Sequence, residues 1–386
     1  MAIITGKTLQ GNCGSVHCLG PGHYTCSPHP DQPDKNPNGV DYPIFYAKLM
    51  GNAGEDICLD IQYPAFDEEI AGWRKYKEPP FFPNAARCTY LSADEQDWVR
   101  LTDVQADEES RTVRIRFVMP ADVCYLSVNY YYTVAMYRQL QQDLRNTVAE
   151  AKVIGQARDG QDLTVWQVTD RSVPVEQKTL VYIQGGQHCC EYGGMHLADG
   201  MLRYLTGGSA EAGALLKKYE FHILPVVSMA DWTEGLVDEM DADSNVVWDT
   251  LCTPETRAVD GYLRSLPKKP AVLIDGHNTR NKNFLILSGG EPEPVRQQLQ
   301  KLADAIAAHC DYMPQNSVKW PQTDKYANFK QYALKNFGLG FTMEISRFWL
   351  YDRETGENIP LSRESFLRFG RQLPHAIDAF ITQSGL

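Results

Sequence analysis

Leu180-Val181-Tyr182-Ile183-Gln184-Gly185-Gly186-Gln187-His188-Cys189-Cys190-Glu191-Tyr192-Gly193-Gly194 is the stretch on which the fold turns. It opens as a short apolar run of the length that fills a buried strand. It breaks at Gly185-Gly186 and passes, from Met195 to Leu205, into helical apolar spacing that stops at Gly207-Gly208. Downstream the same style recurs: Phe221 to Val227, Ala271 to Asp275 and Phe341 to Ile345 read as further strands. Helices are predicted near 291–310 and 363–383. Strand-helix alternation of this kind specifies an α/β layer over 136–386, with a mixed, mostly parallel central sheet flanked by helices. In such sheets functional residues gather just past the carboxyl ends of the strands.

Upstream the pattern differs. Ala157-Arg158-Asp159-Gly160-Gln161 reads as a hairpin turn, and a helix is expected from about Val134 to Val153, with Leu140, Leu144 and Val148 at helical spacing. Residues 41–135 carry short β signals, among them Ile57 to Ile61, Arg87 to Leu91 and the period-two run Thr112 to Val118. Several such strands between turns predict a small N-terminal β-sandwich domain. Residues 1–40 read as an irregular Gly/Pro/Cys-rich leader ending in the turn run Pro33 to Gly39. Within it Cys13, His17, Cys18, His23, Cys26 and His29 raise the question of a structural zinc site. Their spacing matches no paired ligand pattern, so the irregular leader is the expectation.

Composition narrows the function. Lys plus Arg number 37 against 49 Asp plus Glu, a net charge of −12 that argues against a nucleic acid or an anionic membrane surface as partner. No apolar run reaches the 18 residues or more of a spanning helix, and the N-terminus does not read as a secretory signal. Ten scattered cysteines do not form a disulfide framework, so reduced thiols and a cytoplasmic protein are expected. Oligomeric state is not legible.

Four residues could carry chemistry. His188 and Glu191 lie three apart, a spacing that places both on one face of a first helical turn. The alternative is a partly exposed turn with a capping carboxylate. His277 closes the strand Leu273-Ile274-Asp275-Gly276-His277; the alternative there is a core histidine bonded to backbone. Delivered to one sheet edge, two histidines and a carboxylate leave a fourth position for water, the arrangement of catalytic zinc. Glu344, in Gly340-Phe341-Thr342-Met343-Glu344-Ile345, is a carboxylate within an apolar strand, costly unless a cation or donor meets it. It could take a proton from a metal-activated water. Its alternative is an outward-pointing residue paired with Arg347.

The order of these pieces resembles the zinc carboxypeptidase family: His-x-x-Glu after a glycine-rich strand end, a strand-terminal His, then Phe-Thr-x-Glu near the C-terminus, from about 153 to 386. Tyr42-Pro43-Ile44-Phe45-Tyr46, Trp73-Arg74, Phe117-Val118 and Asn129-Tyr130-Tyr131-Tyr132-Thr133 resemble the small N-terminal β-domain of its cytosolic branch. The resemblance implies one zinc ion per chain on His188, Glu191 and His277, with Glu344 as general base and acid. It implies that Tyr326 is the mobile tyrosine covering a substrate, a role for which Tyr332 competes. Asp243-Ser244-Asn245-Val246-Val247-Trp248-Asp249 is similar to the family's Asp-x-Asn-Arg-x-Trp. Asp243 then orients a ligand histidine, and Asn245 binds substrate.

Two departures bear on specificity. The family's arginine after the asparagine is Val246, and a second arginine position falls near Asp238. Neither side chain supplies a bidentate guanidinium contact to a carboxylate. Either Arg280 or Arg347 takes over, or the substrate is not an ordinary free C-terminus. Three readings follow: a metallocarboxypeptidase-like enzyme acting on peptides, a zinc amidase or deacylase for a small amide, and a non-catalytic binding protein. Retention of all four site residues disfavours the last.

Overall fold

The computed structural model describes residues 2–28, 45–63, 87–236, 244–279, 283–315, 317–322 and 327–385. The turn run at 33–39 and the motif residues at 42–44 and 73–74 lie outside the described residues. The chain divides into two compact units, the first made of Met1–Met136, Asp231–Met240 and Pro360–Ser362 and the second of the remainder.

The described residues of the first unit form ten strands: β1 (Ile3–Thr5), β2 (Cys13–Gly20), β3 (His23–Pro28), β4 (Phe45–Met50), β5 (Asp56–Gln62), β6 (Thr89–Ser92), β7 (Val99–Arg100), β8 (Val104–Asp107), β9 (Thr112–Val118) and β10 (Val123–Val128). They form two five-stranded sheets, β1-β4-β10-β6-β7 and β2-β3-β5-β9-β8. Alternation puts one face inward: Ile57, Leu59 and Ile61 of β5 lie opposite Phe117, Ile115 and Val113 of β9, all buried. This is the expected β-sandwich. The irregular leader is corrected over 2–28, where β1 to β3 run. Pro21-Gly22, with Gly22 at φ +68°, turns β2 into β3, and the buried Cys13, Tyr24 and Cys26 face inward. Glycine and proline here mark a hairpin, not an unstructured segment.

The second unit is built on β11 (Ala149–Gln156), β12 (Asp162–Val168), β13 (Thr179–Gly185), β14 (Tyr219–Leu224), β15 (Val272–Thr279), β16 (Phe284–Ile286), β17 (Val318–Lys319) and β18 (Leu339–Ser346). The sheet order is β11-β12-β14-β13-β15-β18-β16-β17. Strands β14, β13, β15 and β18 run parallel, β11 and β12 pair antiparallel with their neighbours, and β16 pairs antiparallel with β18 and parallel with β17. Every residue of β14 is buried, as a strand covered on both faces requires. Strands β19 (Trp349–Asp352) and β20 (Glu357–Pro360) form a separate ribbon.

Eight α-helices are described: α1 (Val134–Leu144), α2 (Tyr192–Thr206), α3 (Ala210–Lys218), α4 (Met229–Glu234), α5 (Pro254–Ser265), α6 (Glu293–His309), α7 (Phe329–Asn336) and α8 (Arg363–Ser384). The helix expected to reach Val153 ends at Leu144, and β11 follows. Ser209 caps α3 by accepting from Ala212 N, and Thr253 caps α5 by accepting from Thr256 N. Glycines set how closely α2 approaches the sheet. A Cβ on Gly194 would meet Gly276 O at 2.2 Å, and one on Gly185 would meet Gly194 C at 2.5 Å. That contact brings the start of α2 down onto the ends of β13 and β15.

Candidate active site

His188 lies in the turn after β13, which Gly186 enters at φ +62°. Glu191 stands one residue before α2, and its N–H donates to His188 O at 3.1 Å. The two therefore share a turn before the helix instead of its first turn. His277 is inside β15, because the ladder with β18 continues to the pair Thr279 and Ser346. The three side chains converge: their ligand atoms all lie within 4.8 Å of one another. Glu191 Oε2 is 2.7 Å from His277 Nδ1 and 3.3 Å from His188 Nδ1.

His277 and Glu191 are held from behind. Asp275, two residues before His277 on the same strand face, places Oδ2 2.8 Å from His277 Nε2. Its Oδ1 accepts from Gln184 Nε2 at 3.0 Å, and Gln184 Oε1 accepts from Tyr182 OH at 3.0 Å. Asn278 N–H donates to Glu191 Oε2 at 2.9 Å, and Asn278 Oδ1 accepts from Gly193 N at 2.6 Å. Arg347, buried, donates from Nη2 to Glu191 Oε1 at 3.1 Å. Burial opposes ionisation of Glu191, but His188 and His277 outweigh it and hold the carboxyl well below the usual range. Burial likewise disfavours charge on His277, while Asp275 and Glu191 raise its pKa well above that of a free imidazole. These are good metal ligands: two imidazoles and a carboxylate in one cage, the histidine oriented by a buried Asp.

Glu344 stands directly across from His277 in the β15–β18 register. Burial and the charge of Glu191 push its carboxyl up to about 7, against the pull of His277, His188 and Lys319. Arg347 pairs with Glu191 and not with Glu344. Asn245 and Val246 sit in a 3₁₀ turn (Ser244–Val246) tied to the site, since Ser244 Oγ and Ser228 Oγ both donate to Gln187 O, at 3.1 and 2.5 Å. Tyr332 donates to Asp260 and accepts from Arg264 on α5, which removes it as the covering tyrosine. Asp238, Asp243, Arg280 and Tyr326 lie outside the described residues.

A second grouping, His23, Cys58 and Asp60, occurs in the first unit. There Arg114 donates to both Asp60 oxygens, at 2.6 and 2.8 Å, and His23 Nε2 adds a contact at 3.0 Å. Its carboxylate is already closed by a guanidinium fork. All ten cysteines are free thiols; Cys13 and Cys26 are buried, Cys18 exposed.

Residues 133–229, which hold β13, His188, Glu191 and α2, match the family model of zinc carboxypeptidases. None of the curated proteins matches the sequence. Among solved structures, a metallo-carboxypeptidase from Burkholderia cenocepacia is similar at 18% identity and TM-score 0.77, with 99% of each chain covered. One from Pseudomonas aeruginosa is similar at 15% identity and TM-score 0.78, again with 99% of each chain covered. The fold is thus that of the metallocarboxypeptidases along nearly the whole chain. On that fold, and within or beside the matched segment, His188, Glu191 and His277 form a group that could hold a metal ion. No helix of the described residues is long and apolar enough to cross a membrane.

Proposed function

We propose that the chain hydrolyses a peptide or related amide bond, with zinc on His188, Glu191 and His277 and Glu344 moving the proton. The observation that carries this reading is the convergence of the three ligand atoms within 4.8 Å, with Glu344 on the adjacent strand opposite His277. Zinc, when bound, supplies Lewis acidity toward water and the scissile carbonyl. Glu344 takes the proton of the attacking water and returns it to the departing nitrogen. Asp275 keeps the His277 ring turned toward the cage. Asn245 contacts substrate from its turn beside Gln187, with Arg280 and Tyr326 as further contacts and Asp243 behind a ligand histidine.

Substrate choice is the finer point. Val246 stands where the family resemblance would put the carboxylate-binding arginine, and Arg347 already gives Nη2 to Glu191. A free C-terminal carboxylate is therefore poorly anchored unless Arg280 serves it. The Pseudomonas aeruginosa protein was solved in complex with (2-guanidinoethylmercapto)succinic acid, a ligand with carboxylates and a guanidino group. For this chain we expect weak cleavage of simple C-terminal substrates and better cleavage where the departing part is neutral or cationic. Measuring kcat/KM for a matched pair, free acid and amide, together with zinc content, tests it. A preference for the free acid by ~100-fold, nearly ~3 kcal/mol in transition-state binding, restores the ordinary carboxypeptidase reading. The second reading, a zinc amidase or deacylase of small molecules, is favoured by that same Val246. The free thiols support a cytoplasmic location, which cell fractionation checks.

A further inference from the structure

We infer that Arg347 is a positioning residue: its guanidinium takes one oxygen of Glu191 and confines that carboxylate to ligation through the other. The inference rests on the reading of His188, Glu191 and His277 as metal ligands. The two oxygens of Glu191 meet different partners. Oε2 faces His277 Nδ1 at 2.7 Å and His188 Nδ1 at 3.3 Å, and accepts Asn278 N–H at 2.9 Å. Oε1 accepts from Arg347 Nη2 at 3.1 Å. Only Oε2 is aimed at the imidazoles.

Arg347 is itself rigidly placed. It follows β18 directly, its N–H donates to Thr279 O at 2.8 Å, and it is 2% exposed. The ladder that sets His277 beside Glu344 therefore also sets the arginine. The terminal torsion of a glutamate is broad and roughly two-fold, so packing alone does not choose which oxygen faces the ion. A charge-assisted bond to one oxygen does choose, being about twice as strong as a neutral one.

Charge gives the inference a sign. Arg347 and a divalent ion together balance Glu191, Asp275 and Glu344. Removing Arg347 leaves surplus negative charge, which by electrostatics alone tightens a bound cation. Loss of positioning loosens it. The direction of the change separates the two roles.

The test uses the full chain, zinc and cobalt(II) as probes, chelator competition for affinity, and the visible spectrum of the cobalt form. In Arg347→Gln we expect the metal dissociation constant to rise ~10- to 100-fold, the scale for lost outer-shell partners. We also expect weaker cobalt bands, because a second Glu191 oxygen joins and coordination rises above four. Arg347→Lys, which keeps the charge without the planar guanidinium, should fall between the parent and Arg347→Gln. Unchanged or tighter metal binding in Arg347→Gln overturns the inference. Should that variant not fold, Arg347→Lys decides: weaker binding with an altered spectrum supports it, and parent-like values overturn it. A parent chain that binds neither ion removes the metal-ligand reading itself, and the inference with it; a parent that binds, with unchanged variants, removes Arg347's role alone.

Discussion

Glu344 is tuned by two opposing influences: burial and Glu191 push its carboxyl up to about 7, and the imidazoles of His277 and His188 resist. A general base serves best when its pKa lies near the working pH. Positive charge gathered at the ligands lowers the value further, so the acid limb of kcat/KM should lie below about 7. Activity then falls as pH drops through that limb. Glu344→Gln should keep its zinc, lose the limb and lose at least ~10²-fold in turnover; near-normal turnover would make Glu344 structural. The three residues of the cage and Glu344 are legible in the sequence because each lies within or shortly after an apolar strand, where a polar group stands out. Asp275 carries a signal too, since side chains two apart in a strand share a face. The partner of Arg347 is not legible, because spacing alone does not say whether it turns to Glu344 or to Glu191.

At the scale of elements, the seating of α2 depends on glycines. By helix propensity Gly194→Ala should gain about 1 kcal/mol. The added Cβ would meet backbone Gly276 O at 2.2 Å, however, and neither backbone can yield without moving strand or helix. Overpacking of this kind costs ~1–3 kcal/mol, so the clash wins. We expect a lower unfolding midpoint and weaker zinc retention, because Glu191 immediately precedes α2; a more stable variant with full zinc would refute it. The strands of the second unit are readable because they are buried on both faces and stand out as apolar runs. The edge strand β11 is not. Val148 and Val153 are 47% and 58% exposed, and apolar residues left at a sheet edge imitate a helical stripe. The β2–β3 hairpin is obscured by the very Pro21-Gly22 that forms its turn.

On the scale of the whole molecule, the first unit carries a pH-dependent contribution to its stability. There hydrogen bonds from Arg114, opposed by burial and aided by His23, hold Asp60 below the ordinary carboxylate range. A depressed carboxylate stabilises the fold above its unfolded pKa, and that contribution is lost as pH falls through the lower, folded value. Protection factors of the β5 and β9 amides, corrected for the intrinsic exchange rate, should therefore fall toward acid pH, and Asp60→Asn should lower them at neutral pH and flatten the dependence. Protection that is unchanged in the variant would show the network to be idle. The strand order of the second unit has another consequence, one of timing. Strand β18 lies between β15 and β16, although both precede it in the chain. A growing polypeptide thus presents β15 and β16 before their shared neighbour exists, leaving edges open to mispairing until the late strand is threaded in. Glu344 travels on that strand. The newborn chain holds its histidines first and receives Glu344 only when the sheet is closed, so under the proposed mechanism the half-made molecule lacks its general base.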